Sequence, residues 1–352
     1  MKIILLPISF FYGLIMAIRN LFFNLKILRS KRFNIPIISV GNLSFGGTGK
    51  SPHIEYLIRL LKGKYSLATL SRGYGRKTKR FILASENSTS SDIGDESLQY
   101  KTKFRESVKV AVDENRRRGI KILFNKFPKL DVILLDDAFQ HRWVKSGLSI
   151  LLTDYHMLYC DDYPPPSGTL REFRCGSSRA DIIIVTKTTS VLSPITRRRM
   201  TNIIKPKNYQ SLYFSYIKYH DLRSLQNEDI IPKSKKFSTI LLFTGIANSY
   251  PLQDRLRNKC TDLIVMEYKD HHKYSIKDIS KIKKKYDDIY TKNKIIITTE
   301  KDAMRLLQPE LIKFAKDLPI YYFPIEIKLH KDDAKKFDKQ IIDYVKENKR
   351  NN

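Results

Sequence analysis

The sequence predicts an α/β/α sandwich with a second, smaller α/β lobe, a short β linker and an N-terminal membrane-associated helix. Three observations carry that expectation. Short β-branched runs alternate with polar, helix-forming stretches, first over residues 35–187 and again from about residue 239. These runs are continuously apolar rather than alternating, as strands buried on both faces of a parallel sheet require. Ahead of them stand sixteen residues without a charge, Ile3 to Ile18, followed by Arg19, Lys26, Arg29, Lys31 and Arg32.

The N-terminal run falls short of the ~20 apolar residues of a full membrane span. Leu21, Phe22, Phe23, Leu25, Ile27 and Leu28 extend its apolar character past Arg19. A helix lying in one leaflet, with its basic end among anionic headgroups, fits this pattern better than a buried core helix. A signal peptide fits less well, because no A-x-A pattern follows and the chain passes directly into a strand. Strands are then predicted at IPIISVGN (35–42), YSLATLSRG (65–73), VKVAVD (108–113), LDVILLDDA (130–138), LSILLTDY (148–155) and ADIIIVTK (180–187). Helices fall between them at His53–Lys62, Glu96–Phe104 and Asn115–Phe127, which makes a βαβ series. From Val191 to Lys236 the chain reads as an irregular basic connector with one short strand, QSLYFSYIKY. STILLFTGIAN, TDLIVMEY, KIIITTEKD and LPIYYFPI begin the second series. The expected segments are 1–32 (apolar helix), 33–190 (nucleotide-binding core), 191–237 (connector with β linker) and 238–352 (second lobe).

Composition narrows the function. The 352 residues carry 65 Lys+Arg against 36 Asp+Glu, a formal net charge of +29, so anionic company is expected: nucleic acid, an acidic membrane or phosphorylated small molecules. A hydrophobic share of 42% excludes wholesale disorder. Cys160, Cys175 and Cys260 show no CxxC spacing, which argues against a disulfide framework or zinc site and makes a reducing cytoplasm the default.

The most informative segment is VGNLSFGGTGKSP. It leaves a strand at Val40 and enters a helix near Ser51, with Gly41, Gly46, Gly47 and Gly49 close together. Glycines there let backbone N–H groups and a helix N-terminus converge on a polyphosphate. Ser44, Phe45, Gly46, Gly47, Thr48, Gly49, Lys50 and Ser51 are the candidate nucleotide contacts. Lys50 would reach the β/γ-phosphates and Ser51 would offer its hydroxyl to Mg²⁺. Ser44 stands where the strict GxxxxGKS pattern has glycine. The apolar run LDVILLDDAFQH supplies the complementary carboxylates, Asp136 and Asp137, at a strand end. One of them is expected to hold Mg²⁺, and adjacent strand residues point apart, so the two should have different tasks. Arg72 and Arg76, flanking RGYGR, are candidate phosphate contacts, ordinary surface charge being the alternative.

Together these blocks resemble the tetraacyldisaccharide 4'-kinase family. VGNLSFGGTGKSP, LSRGYGRK (70–77), IGDES (93–97), DDAFQHR (136–142), GTLREF (168–173), RADIIIVTK (179–187), FTGIAN (243–248), DHHKY (270–274) and TTEKDAMRL (298–306) occur in the family's order. The resemblance implies a P-loop NTPase-like fold of two α/β/α lobes with ATP in the cleft. It implies transfer of phosphate from ATP to the 4'-hydroxyl of a lipid A disaccharide precursor, at the cytoplasmic face of the inner membrane. By the same resemblance Asp95 is the base that acts on the acceptor hydroxyl and His271 its partner. Glu96, Arg171 and Glu172 become substrate-side candidates in the same way. Read without it, Asp95 is a helix N-cap and His271 a solvated loop histidine. Three positions depart from the family: Ser97 for a usual Pro, predicting a looser turn; Ala138 for a usual Gly, predicting no positive φ there; and Phe173 for a usual Pro.

The rival from another class is a basic, membrane-attached nucleotide-binding module acting on nucleic acid or another anionic partner. An RRM-like aromatic pair, a helix-turn-helix or a zinc signature would be expected with it, and none is apparent. VTKT (185–188) lacks the Asp of a guanine-specifying NKxD. No nucleic acid is therefore expected, and the sequence points to no particular protein partner.

Overall fold

The protein is described by a computed structural model covering residues 5–226, 236–246 and 248–348. Ile3 and Ile4 of the apolar run, residues 227–235 of the connector, Ala247 of FTGIAN and the last four residues lie outside it. The chain divides into two compact units. One is built from the residues up to Lys218 together with those from Ile327 onward, the other from Tyr219–Glu326.

In the first unit, helix α1 (Leu6–Asn24) precedes β1 (Ile37–Asn42), α2 (Lys50–Leu61), β2 (Leu67–Ser71) and β3 (Ile82–Leu83). Then come α3 (Ser90–Ile93), α4 (Asp95–Phe104), β4 (Lys109–Val112), α5 (Arg116–Lys126), β5 (Val132–Asp136), β6 (Leu148–Asp154), β7 (Ile182–Thr186), α6 (Pro194–Ile204) and β8 (Ser211–Tyr219). The second unit holds β9 (Arg223–Ser224), β10 (Phe237–Thr244), α7 (Tyr250–Arg257), β11 (Cys260–Glu267), α8 (Ile276–Asp287), β12 (Lys294–Thr299), α9 (Glu300–Leu306), α10 (Pro309–Ala315) and β13 (Ile320–Phe323). The chain returns to the first unit through β14 (Ile325–Leu329) and α11 (Lys331–Asn348).

The first sheet runs β14-β8-β7-β6-β1-β5-β2-β4-β3. From β8 to β4 its neighbours pair in parallel, and β3 pairs antiparallel with β4. β1, β2, β5 and β7 are buried along their whole length, which is why their sequences show no alternation. β1 sits between β5 and β6, with Val40 level with Asp136, so the glycine loop and the strand-end carboxylates emerge side by side. The second sheet, β11-β10-β12-β13-β9, is parallel apart from β9.

Three expectations need correction. QSLYFSYIKY forms β8, paired in parallel with β7 as a full member of the main sheet. Part of the stretch read as irregular is helix α6, started by Pro194 in its first turn and by Ser193, whose Oγ accepts from the Thr196 N–H at 3.1 Å. The second lobe does not extend to residue 352. Helix α11 lays Phe337, Ile341 and Val345 into the same core as Ile54 and Leu57 of α2, and Tyr56 donates to Asp338 at 2.7 Å. An apolar stripe at i, i+4, i+8 must be buried somewhere, and the first sheet provides the face.

Helix α1 rests on the first unit by a narrow polar and small-residue face. The Ser9 hydroxyl accepts from the Ser167 N–H at 3.0 Å, Gly13 meets the Phe173 ring, and Asn20 donates to Glu172 at 2.6 Å. A Cβ at Gly13 would come within 2.3 Å of Phe173. Arg142 ties the end of the helix through Asn20 O and Asn24 Oδ1. Phe23 is buried against Trp143, and most of the remainder is exposed apolar surface, Phe10, Phe11, Ile15 and Ile18 among others, with only 17% of its most apolar window buried.

Candidate active site

The glycine loop is held from both sides. Its Phe45 N–H donates to Thr169 O and Arg171 N–H to Leu43 O, both at 2.6 Å, so residues 169–171 run alongside it. Thr186, at the end of β7, donates to Thr48 O at 2.9 Å. Gly46 and Gly49 take φ of +112° and +89°, which L side chains rarely adopt, and Gly49 is the residue from which α2 starts. His53, one turn into α2, is fully enclosed. Its Nδ1 lies 2.7 Å from Gly49 O and its Nε2 3.0 Å from Ser215 Oγ. Burial holds it down to about 4, against the opposing pull of the Gly49 carbonyl, so it braces the loop as a neutral ring.

Lys50 begins α2 directly after the loop. Its Nζ lies 3.3 Å from Asn42 Oδ1 and 3.8 Å from Asp137 Oδ1. Asp137 also accepts from Arg171 Nη1 at 2.9 Å, and the Arg171 guanidinium stacks 5.2 Å above the Phe45 ring. Asp137 itself carries a φ of +47°, while Ala138 does not take positive φ. The left-handed turn therefore falls one residue before the alanine. Asp136 points the other way, into the protein. Its Oδ2 accepts from the Tyr100 hydroxyl at 2.9 Å, its Oδ1 is buried without a partner, and Ser51 hydrogen-bonds the same Tyr100 hydroxyl. Burial, the Asp137 charge and Glu96 push Asp136 up to about 6, opposed by Tyr100 and Lys50. Two adjacent carboxylates thus sit in different surroundings, one dry and one bridged to two cations.

Asp95 is the first residue of α4, directly after Gly94, whose φ is +81°. A side chain on Gly94 would strike Tyr74 O at 2.8 Å, so the RGYGR turn packs against this helix start. Ser97 does not loosen the turn as expected. It is buried and shares a 2.9 Å hydrogen bond with Ser71, which also accepts from the Gly73 N–H. The hydroxyl ties α4 to the end of β2.

Two substrate-side candidates are committed elsewhere. Arg76 is buried against Glu114 and donates to Arg80 O. Glu172 is 2% exposed, with Asn20, Gln140 and Arg179 on its two oxygens, and serves to dock α1. Arg72 is exposed, and its charge reaches His141 and Arg116. In the second unit, His271 takes a φ of +58°. Its ring has Lys301 Nζ at 3.1 Å, Arg305 Nη2 at 3.3 Å and the Asp270 carboxylate at 3.9 Å. The adjacent His272 is instead stacked on Tyr268 and bonded to Asp278, which separates the roles of the two histidines.

Sequence reasoning missed Asn42, Tyr100 and Arg116. Asn42 closes β1 immediately before the loop, and Tyr100 lies one helical turn beyond Glu96, signals that were present in the spacing. Arg116, the first residue of α5, is 4% exposed and lowered to about 10 by burial, against the pull of Asp137 and Asp136. No local pattern marks a buried arginine.

A glycine loop between a buried strand and helix, a lysine at its end and paired carboxylates on the neighbouring strand define a P-loop-type nucleotide-binding α/β protein. The family model described as tetraacyldisaccharide-1-P 4'-kinase matches residues 1–346. The tetraacyldisaccharide 4'-kinase of Bacteroides thetaiotaomicron is 46% identical, covering 99% of this chain and 94% of that one. Its counterpart from Flavobacterium johnsoniae is 44% identical over 98% and 97% of the two chains. The crystal structure of the "apo" form of LpxK from Aquifex aeolicus in complex with ATP superposes with a TM-score of 0.72, at 27% identity, over 98% of this chain and 99% of that one. This chain belongs to the tetraacyldisaccharide 4'-kinase family.

Proposed function

We propose that this protein transfers the γ-phosphate of ATP to the 4'-hydroxyl of a tetraacyldisaccharide 1-phosphate, giving the 1,4'-bisphosphate. The observation that carries the reading is the convergence of Lys50, Ser51, Asp136 and Asp137 at the glycine loop of a chain that matches the family from end to end. The N–H groups of the loop glycines Gly46, Gly47 and Gly49 cradle the phosphates, and Lys50 neutralises charge on the transferring group. Arg171, already on Asp137 beside Phe45, is placed to add a second cation there.

The all-oxygen set of Ser51, Asp136 and Asp137 fits Mg²⁺, which is held by one or two carboxylates together with substrate phosphates. The buried, partnerless Oδ1 of Asp136 supports that fit, because an orphaned carboxylate oxygen in a dry site calls for a ligand. When bound, the ion would offset negative charge on the β- and γ-phosphate groups. Asp95, at the start of α4, is the group to orient the sugar hydroxyl and accept its proton, with His271 as its partner in catalysis. The exposed apolar flank of α1 and the basic residues after it support residence on an anionic membrane surface, at the cytoplasmic face where ATP is available.

ATP consumption measured with and without the lipid disaccharide tests this reading. Turnover should depend on the lipid. Consumption that ignores the disaccharide but responds to a nucleic acid would replace it with the rival module.

A further inference from the structure

Both faces of the first sheet need cover, and one face has a gap. On that face α5 lays Ile120 and Leu123 over β2, β4 and β5, while α6 lays Met200 and Ile204 over β7 and β8. Between them, over β1 and β6, lies a cavity of about 1090 Å³. Its floor breaks the apolar rule of these strands. Ser39 of β1 and Ser149 of β6 are register partners, and the Ser39 hydroxyl donates to Ser149 and Ser146 at 3.2 and 3.0 Å. Asp181 closes the floor by accepting from the Ser149 N–H at 2.7 Å.

The walls and rim are cationic. The lining carries Lys26, Arg29, Arg32 and Lys145, all exposed, and Arg142 and Arg179, which are half-buried and already bonded to Asn20, Asn24 and Glu172; Asp181 is the one carboxylate among the described lining residues. Burial, then the Arg179 charge, lowers Arg142, so these positive groups repel one another. Nε2 of His141, on the same wall, is buried without a partner. The segment just after α1 lines the cavity through Lys26, Leu28 and Arg29, and the neighbouring Leu25 and Ile27 are 60% and 63% exposed.

We propose that this cavity binds the phosphate headgroup of an anionic glycerophospholipid. The exposed cations Lys26, Arg29, Arg32 and Lys145 take the phosphate, the serines and Asp181 take headgroup hydroxyls, and the acyl chains run out along the apolar flank of α1. A diffuse basic surface needs no polar floor; a built headgroup site does. The proposal rests on the membrane-apposed reading of α1 and goes beyond it, because it names a seat for one lipid class apart from the phosphate-transfer site.

The test is flotation of the full-length protein with phosphatidylcholine vesicles, with and without one fifth phosphatidylglycerol. Wild type should prefer the anionic vesicles by at least ~10-fold. Arg29→Glu/Arg32→Glu/Lys145→Glu and the charge-neutral, cavity-filling Ser149→Leu should each cut that preference to about twofold. Lys335→Glu/Lys336→Glu/Lys339→Glu, an equal charge change on α11 outside the cavity, should keep most of it. Equal loss in that control, or full preference in Ser149→Leu, would overturn the proposal in favour of diffuse attraction. Thermal stabilisation by inorganic phosphate without any vesicle preference would overturn the lipid source. Binding to neither vesicle would overturn it together with the membrane reading. Flotation needs no turnover, so each of these results is distinct from failure of the kinase reading.

Discussion

Asp136 is the group whose environment makes the sharpest quantitative demand. Its carboxyl is raised from 3.8 to about 6, chiefly by burial and then by Asp137. That shift corresponds to roughly 3 kcal/mol. The folded protein holds this proton more tightly than the unfolded chain does, so between about pH 4 and pH 6 folding binds a proton. Stability from this group therefore falls as pH rises through that window and levels off above it. Asp136→Asn keeps the shape and the acceptor for Tyr100 but removes the titration. The amide nitrogen's own cost is independent of pH, so the difference between variant and wild type isolates the ionisation. With Mg²⁺ and nucleotide absent, the variant's stability relative to wild type should increase by about 2 kcal/mol from pH 4.5 to pH 7.5, the rest of the span lying below pH 4.5. At ~2–4 °C per kcal/mol, the difference in Tm should grow by roughly 4–8 °C. Differential scanning calorimetry across that range measures it. Mg²⁺ with ATP should then raise the Tm of wild type far more than that of the variant at pH 7.5. A Tm difference that is flat with pH would show that the site leaves Asp136 ionised at little cost, and the argument from the orphaned oxygen would fail.

Three further outcomes are expected. Lys50→Ala should remove most kinase activity in a folded protein, by on the order of 10²-fold or more in kcat, and near-normal turnover would exclude this loop as the ATP site. Asp95→Asn should lower kcat by on the order of 10²–10⁴ with ATP affinity, read by a fluorescent analogue, almost unchanged. His271→Ala should cost less, and the double variant should be little worse than Asp95→Asn alone; additive losses would deny them a common step. Deleting residues 1–28 should release the protein from membranes and raise KM for the lipid more than for ATP, and unchanged sedimentation with membranes would contradict that role for α1.

The parallel strands were legible because burial on both faces leaves an unmistakable apolar run, and Ile37–Asn42, Val132–Asp136 and Ile182–Thr186 fall inside the expected spans. The loop was legible because its glycines are demanded by backbone geometry. What escaped depends on contacts made far along the chain. Nothing near Lys331–Asn348 says that its stripe returns to α2, because an amphipathic helix states that it will be buried and not where. Glu172 was a substrate-side candidate only through the family resemblance, yet its oxygens are spent on Asn20, Gln140 and Arg179. Ser9, Gly13 and Asn20 did interrupt the apolar run at positions that share a helix face, and that was a readable sign that α1 docks on protein along one side.

The central claim is that the glycine loop, its lysine and the Asp136/Asp137 pair serve phosphoryl transfer to a lipid hydroxyl. Its most direct measurement is product analysis after incubation with γ-labelled ATP and the disaccharide 1-phosphate in mixed micelles. The account predicts one new phosphomonoester per disaccharide, located at the 4' position by phosphorus NMR, carrying the label and absent with Lys50→Ala. Label released only as inorganic phosphate, or a labelled 4'-phosphate formed equally well by Lys50→Ala, would contradict it.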